Sequence, residues 1–379
     1  MNVLVINSGS SSLKFQLVNS ESEEVFSKGV VDGIGLEICK VNIDGVEEVI
    51  FLENHKLALA YILEKIDKSK IEAIGHRVVH GGEYYSTPAI VDEKLITKIT
   101  ELIELAPLHN PANVEGIKAC QEDLPGLTQV AVFDTAYHQT LPPKAYMYGI
   151  PYEYYEKYKI RKYGFHGTSH KYIMQKTREK MGLSSITMIS CHIGNGSSIT
   201  AIKDNLSVDT SMGFTPLPGI VMGTRCGDID PEIVSYLEKK ENLRPRDIKV
   251  ILNKKSGLLG VSGSSDMRVI HDLAKQGDFR AKLAIDILAY DIAKYVSAYA
   301  GILGRIDAIT FTAGLGENAY YLREKVIEYF NGRQVELDSE RNKNNEILIS
   351  SSDSVVRVFV IPTNEELMIA KETADLLNG

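Results

Sequence analysis

Val3-Leu4-Val5-Ile6-Asn7-Ser8-Gly9-Ser10-Ser11-Ser12-Leu13-Lys14 opens the chain as an apolar, β-branched run that breaks into a glycine and serine turn. The pattern returns mid-chain, where an apolar run from residue 186 ends in His192-Ile193-Gly194-Asn195-Gly196-Ser197-Ser198. Two turns of this kind in the same strand-to-turn setting point to a duplicated α/β unit, and a cleft between two such halves is the default place for a ligand. Further apolar runs at 73–80, 129–133, 306–312 and 355–361 alternate with helical patterns, which is the signature of the α/β class. The stretch Phe279–Leu303 carries Leu283, Ile287, Leu288, Ile292 and Val296 on more than one face, so it reads as a long helix of a core or a subunit interface.

Composition narrows the partners. The 379 residues exceed an ordinary single domain, so two domains are expected. Apolar residues make up 44% and charged residues 24%, with a net charge of -8, as in an acidic soluble protein rather than a disordered, fibrous or polyanion-coating one. An acidic chain that handles phosphate must hold it with local cations, backbone amides and a metal, because its overall field opposes the anion. Cys39, Cys120, Cys191 and Cys226 form no C-x-x-C pair, which points to a reducing compartment. No signal-like leader and no apolar stretch of roughly 18 residues occurs, so a cytoplasmic protein without a membrane partner is expected. Between Tyr137 and Tyr163 eight of nineteen tyrosines crowd around Pro142, Pro143 and Pro151. This shift marks the boundary between a first domain, 1–136 plus about 367–379, and a second, 137–366. Tyrosines in an acidic chain pack or form interfaces, and nucleic acid is not an expected partner.

The turns and the arginines carry the chemistry. Residues 7–14 combine mobile backbone, hydroxyl donors and the cation of Lys14, a set suited to phosphate, without the spacing of a P-loop. Residues 192–198 repeat it, and Thr312-Ala313-Gly314-Leu315-Gly316-Glu317-Asn318 is a third such turn. With Ala319 the third satisfies a relaxed dinucleotide fingerprint, but a dehydrogenase leaves the other two turns without a task. Gly75-His76-Arg77-Val78-Val79-His80-Gly81-Gly82 and Met222-Gly223-Thr224-Arg225-Cys226-Gly227-Asp228 each set an arginine beside glycines, where a forked guanidinium reaches an oxyanion past a thin backbone. The pairs His76/His80 and His166/His170 raise zinc, yet neither is part of H-E-x-x-H and no cysteine joins them at ligand spacing. Near the end, Pro362-Thr363-Asn364-Glu365-Glu366 delivers two carboxylates to a helix start. One suits the helix dipole and the other magnesium.

In order, N-S-G-S-S-S-L-K (7–14), G-H-R-V-V-H-G-G (75–82), F-D-T-A-Y-H (133–138), Y-G-F-H-G-T-S-H (163–170), H-I-G-N-G-S-S (192–198), D-T-S-M-G-F-T-P-L (209–217), M-G-T-R-C-G-D-I-D-P (222–231), S-G-L-L-G-V-S-G (256–263), T-A-G-L-G-E-N (312–318) and P-T-N-E-E-L (362–367) resemble the acetate kinase family over the whole chain. The resemblance implies the fold of the acetate and sugar kinase/Hsp70/actin superfamily. That is two duplicated ribonuclease-H-like, or actin-like ATPase, domains flanking a central cleft, assembled as a homodimer. It makes Arg77 and Arg225 an anion-holding pair, His166 a further transition-state donor and Asp134 the family's catalytic aspartate. Asn7 and Glu365 would sit by magnesium, with manganese as a substitute. ATP would contact Lys14, then His192, Ile193, Gly194, Asn195 and Gly196, then Asp266, Met267 and Arg268, then Gly314, Leu315, Gly316, Glu317 and Asn318. Val79, Leu108, Phe165 and Pro216 would surround the substrate methyl group. Pro218 stands where the family more often has glutamate, and residues 262–266 are one shorter than its pattern.

The implied reaction is reversible, magnesium-dependent, in-line transfer from ATP to acetate, giving acetyl phosphate and ADP. A carboxylic acid with a pKa of roughly 4 to 5 is already an anion near pH 7 and needs no general base. Orienting an arginine or a metal-bound water is therefore the favoured role of Asp134 over proton abstraction. Related propionate kinases carry a smaller residue in place of Val79, so acetate is favoured and propionate is the alternative acceptor. An ATP-driven conformational switch of the same superfamily is the rival of a different class. Two glycine-flanked acceptor arginines argue against it.

Overall fold

Strands buried on both faces read as nearly continuous apolar runs, and those runs form the middle of each sheet. The computed structural model describes residues 1–107, 109–330, 332 and 334–379, so Leu108 lies outside the described residues. The chain divides into two compact units. Unit one comprises 1–139, 167–169 and 364–379, and unit two comprises 140–166 and 170–363. The chain re-enters unit one at Asn364, so Glu365 lies in unit one.

The strands of unit one are β1 (Asn2–Ser8), β2 (Ser12–Asn19), β3 (Val25–Asp32), β4 (Cys39–Ile43), β5 (Val46–Ile50), β6 (Ala73–Val78), β7 (Ala89–Ile90) and β8 (Gln129–Phe133). They form one sheet in the order β5-β4-β3-β2-β1-β6-β8-β7. Unit two holds β9 (Met188–Ile193), β10 (Ser197–Lys203), β11 (Leu206–Thr210), β12 (Ala308–Thr312) and β13 (Arg357–Val360), ordered β11-β10-β9-β12-β13. In both sheets an antiparallel meander, β1 to β5 in unit one and β9 to β11 in unit two, is extended beside its first strand by two parallel strands. Thus β3-β2-β1-β6-β8 and β11-β10-β9-β12-β13 are the same ribonuclease-H-like arrangement twice. Parallel neighbours run the same way, so within each sheet the loops that leave them collect at their carboxyl ends.

Helices cover the sheets. Asn110–Asp123 buries Val114, Ile117, Ala119 and Cys120 against unit one. Glu365–Asn378 is capped by the Asn364 side chain, which accepts from Leu367 N at 2.9 Å. It packs closely on β6, where a Cβ on Gly75 would meet Thr373 Oγ1 at 2.7 Å. Phe279–Leu303 forms as expected and centres the unit-two core, with Ile285, Leu288, Ile292 and Val296 against Ile189, Ile199, Ile309 and Phe311. Each such side chain, fully buried, contributes about 1.5–3 kcal/mol. Among the described residues no helix is long and apolar enough to cross a membrane.

Candidate active site

In unit one, the carboxyl ends of three neighbouring parallel strands carry the predicted polar residues. β1 ends with Asn7 paired across the hairpin to Lys14, β6 carries Arg77, and Asp134 follows β8. Arg77 Nη2 donates to Asp134 Oδ2 at 2.6 Å and Nη1 to Asn7 Oδ1 at 3.3 Å. Burial alone would lower the Arg77 pKa, but Asp134, with Glu365 and Glu366 behind it, outweighs that and raises it above its ordinary value. The Glu365 carboxyl, at the start of its helix, is pushed up to about 7. Burial is the first cause. Asp134 and Glu366 add to it, while Arg77 and Lys14 oppose it.

Asn113, which the sequence reading missed, braces this end of the sheet. Its side chain accepts from Val79 N at 3.1 Å and donates to Ser8 O at 2.9 Å, joining β1 to the segment after β6. The signal was the polar first turn of the helix, Asn110 to Asn113 around Pro111, directly after Leu108. Val79 itself is buried.

This cluster fits a hard divalent cation. Its donors are amide and carboxylate oxygens, Asp134 Oδ1 is buried without a hydrogen-bond partner among the described residues, and burial disfavours a bare charge on Glu365. Among the described residues no cluster of three or more His, Cys, Asp or Glu forms a metal cage. The set of amide and carboxylate oxygens suits magnesium, which takes one or two carboxylates and completes its shell with phosphate and water. It does not suit zinc. His76 is buried against Gln129 Oε1 at 2.7 Å, and His170 lies between two serine hydroxyls.

Unit two assembles the other half of the predicted set. His166 adopts φ 57° just before the helix Gly167–Met181, and its ring stacks on His192 with centroids 4.1 Å apart. His166 Nδ1 meets Ser198 Oγ at 2.9 Å. The same hydroxyl lies 2.7 Å from His170 Nε2, whose Nδ1 is 2.8 Å from Ser190 Oγ. This chain of hydroxyls and imidazoles fixes the His166 ring, and Ser198 was not singled out beforehand because its partners lie 28 and 32 residues away. Gly196 sits beneath the two functional groups. A Cβ there would lie 3.3 Å from Arg225 Nη1 and 3.5 Å from His166 Nε2, so only hydrogen at this position leaves an anion room to approach both.

Arg225 differs from Arg77. Its Nη1 donates to Pro216 O at 2.9 Å and contacts Met222 Sδ at 3.6 Å. Both partners are neutral, and burial lowers its pKa. A guanidinium so placed favours an incoming anion. Phe165 is buried nearby in sequence, and Pro216 enters through its carbonyl.

The nucleotide residues divide. His192, next to the end of β9, pairs in register with Thr312 at the end of β12, so residues 194–196 and 313–318 leave the sheet side by side. The second of these forms the short helix Ala313–Asn318 rather than an open turn. Glu317 Oε1 accepts from Thr363 N at 3.1 Å. The fully buried Arg323, unnoticed in the sequence, donates to Gly316 O at 2.8 Å and Glu317 O at 3.0 Å and so locks this segment. Asp266 caps the helix Met267–Lys275 and is bridged by its own neighbour Arg268 at 2.7 Å, while Met267 is buried. Lys14 is exposed on β2.

The sequence model of the acetokinase family matches residues 2–371. An acetate kinase of Carboxydothermus hydrogenoformans is 51% identical over 395 residues, covering 100% of this chain and 99% of that one. Among solved structures, an acetate kinase of Porphyromonas gingivalis matches with a TM-score of 0.95 at 43% identity over 99% of each chain. A propionate kinase of Francisella tularensis matches with a TM-score of 0.94 at 45% identity over 98% of each.

Proposed function

The chain belongs to the acetokinase family, and on that premise we propose that it transfers the γ-phosphoryl group of ATP to the carboxylate of acetate, reversibly and in line. The observation that carries the reading is Arg225, a half-buried guanidinium whose side-chain contacts among the described residues are a carbonyl and a thioether, beside His166 over Gly196. Two anions must meet, so positioning and charge neutralisation supply most of the acceleration. Arg225 and His166 hold oxygens of the transferring phosphoryl group, and Arg77 holds the acetate carboxylate. Asp134 orients Arg77 through the 2.6 Å contact and takes no proton, since acetate arrives ionised. Magnesium, or manganese in its place, would be held by Asn7 and Glu365 and supplies charge neutralisation of the phosphates. ATP lies along 192–196 and 314–318, with Lys14 and 266–268 as further contacts.

By the family resemblance Val79, Phe165 and Pro216 would be contacts of the acceptor's methyl group, and Leu108, the fourth, lies outside the described residues. One extra methylene discriminates by only about 1–3 kcal/mol, so propionate is a poorer substrate rather than an excluded one. The enzyme works in the cytoplasm as a homodimer, in keeping with four free thiols and an exposed apolar stripe of Phe279, Leu283 and Tyr290 on the long helix. The test is ADP release from ATP and magnesium with acetate, propionate or no acid. Acetate should give the highest kcat/KM. Equal or higher kcat/KM for propionate would reassign the acceptor, and release independent of acid would favour an ATPase switch.

A further inference from the structure

The segment from residue 211 to 230 carries Pro216 and Arg225 without regular secondary structure, so something outside it must fix its shape. Asp228 closes it on itself. Gly219 N donates to Asp228 Oδ1 at 2.9 Å, and Asp228 N donates back to Gly219 O at 2.8 Å. Gly219, at φ 105°, and Gly227, at φ 69°, permit this pinch, because a Cβ on Gly227 would lie 2.6 Å from the Gly219 carbonyl oxygen. The other oxygen of Asp228 accepts from the Tyr295 hydroxyl at 2.5 Å. One turn earlier on the same helix face, Asp291 Oδ2 accepts from Val221 N at 3.1 Å, its other oxygen lying 3.7 Å from Lys294. Burial, and then Asp228 itself, raise the Tyr295 pKa, so its hydroxyl remains a donor throughout the working pH range.

These anchors bear on the arginine. Met222 N donates to Arg225 O at 3.2 Å, and the Arg225 guanidinium is tethered to Pro216 O at 2.9 Å. Movement of 216–222 therefore moves the guanidinium. The helix that supplies Asp291 and Tyr295, Phe279–Leu303, is the centre of the unit-two core, so the loop is tied to a closely packed body.

We propose that Asp228, Tyr295 and Asp291 are positioning residues for phosphoryl transfer, clamping the 211–228 loop to the long helix so that Arg225 is oriented before the anion arrives. This rests on the anion-holding role given to Arg225 above. Preorganised donors lose their advantage when displaced by an ångström or so, and such displacement can cost up to about a hundredfold in rate.

Tyr295→Phe removes one hydroxyl and keeps the ring, and Asp228→Asn is the second variant should either fold poorly. The expected result for Tyr295→Phe is a kcat lower by about tenfold or more, a KM for ATP within about twofold, and a melting temperature within about 3 °C of the parent. In an Arg225→Ala background the same substitution should change kcat no further, because the group it positions is gone. Hydrogen–deuterium exchange of 213–228 should quicken while that of 365–378 stays unchanged. Parental kcat in Tyr295→Phe, or an equal loss with and without Arg225, overturns the proposal. If the parent enzyme shows no acetate-dependent turnover, the functional reading fails instead. The exchange measurement then still decides the clamp: unchanged exchange in 213–228 overturns it and quickened exchange upholds it.

Discussion

The two units are built on the same sheet, yet they hold their arginines in opposite ways. Arg77 of unit one is ion-paired to a carboxylate that is 1% exposed, and its pKa is raised. Arg225 of unit two leans on a carbonyl and a sulfur, and its pKa is lowered. The difference teaches that duplication conserves the platform while each copy sets its own electrostatics. In unit one the guanidinium is part of a balanced cluster with three nearby carboxylates, Asp134, Glu365 and Glu366. In unit two it is left with unspent charge. On the mechanism proposed above, the first arrangement would serve both stability and orientation, the second mainly the stabilisation of developing negative charge.

That contrast is breakable. The largest effect expected is on turnover: Arg225→Ala should lower kcat by about 10³-fold, or about 4 kcal/mol, in the range of arginines that stabilise phosphoryl transfer. Its stability should fall by only about 1 kcal/mol, because what is lost is one hydrogen bond to Pro216 O. Circular dichroism melts beside initial rates would show the split. A variant that unfolds as readily as it loses activity would place Arg225 among the structural residues.

Arg77→Ala should differ by losing stability as well as rate. It strands Asp134 in the interior, a cost of about 3 kcal/mol. Adding Asp134→Asn should restore much of that stability in urea titrations and none of the activity. If the double variant is no more stable than the single one, the pair is not the source of the loss.

A pH effect also separates the units, since the buried His76 belongs to unit one. Burial holds its pKa down to about 4 against an ordinary 6.5, so the unfolded chain takes up the proton first. Stability is therefore fully present above pH 6.5 and falls as the pH drops from about 6.5 towards 4, by up to about 3 kcal/mol. His76→Gln should flatten this limb in urea midpoints measured across that range. An unaltered slope would show that other groups set it.

The smallest expected effect is at Gly196. Alanine there brings a methyl within 3.3 Å of Arg225 Nη1, so kcat should fall about tenfold while the melting temperature hardly moves. Unchanged kinetics would mean the anion does not pass over this glycine.

Much of this was readable in the sequence, and the rest was not for identifiable reasons. β1, β6, β8, β9, β12 and β13 announce themselves as apolar runs because each is buried on both faces. The meander strands β3 and β5 do not, being partly exposed with mixed patterns. The long helix shows its full extent since Asp278 caps one end and Gly304 closes the other. Motifs located Arg77, Arg225 and His166 and left Asp134 to orient an arginine or a metal-bound water, but did not reveal that the arginine is Arg77, 57 residues away, or that Ser198 holds His166. Such contacts follow from strand register, which no local pattern encodes. The tyrosine-rich stretch likewise becomes intelligible only in three dimensions, where the buried Arg161 lies 3.7 Å over the ring of Tyr146 and 5.3 Å from that of Tyr163.

The most direct test traps the product itself. With ATP, magnesium, acetate and hydroxylamine, the enzyme should form acetohydroxamate in proportion to time and enzyme, none without acetate, and about 10³-fold less with Arg225→Ala. ADP accumulating with no acetate-dependent hydroxamate would contradict transfer to the carboxylate.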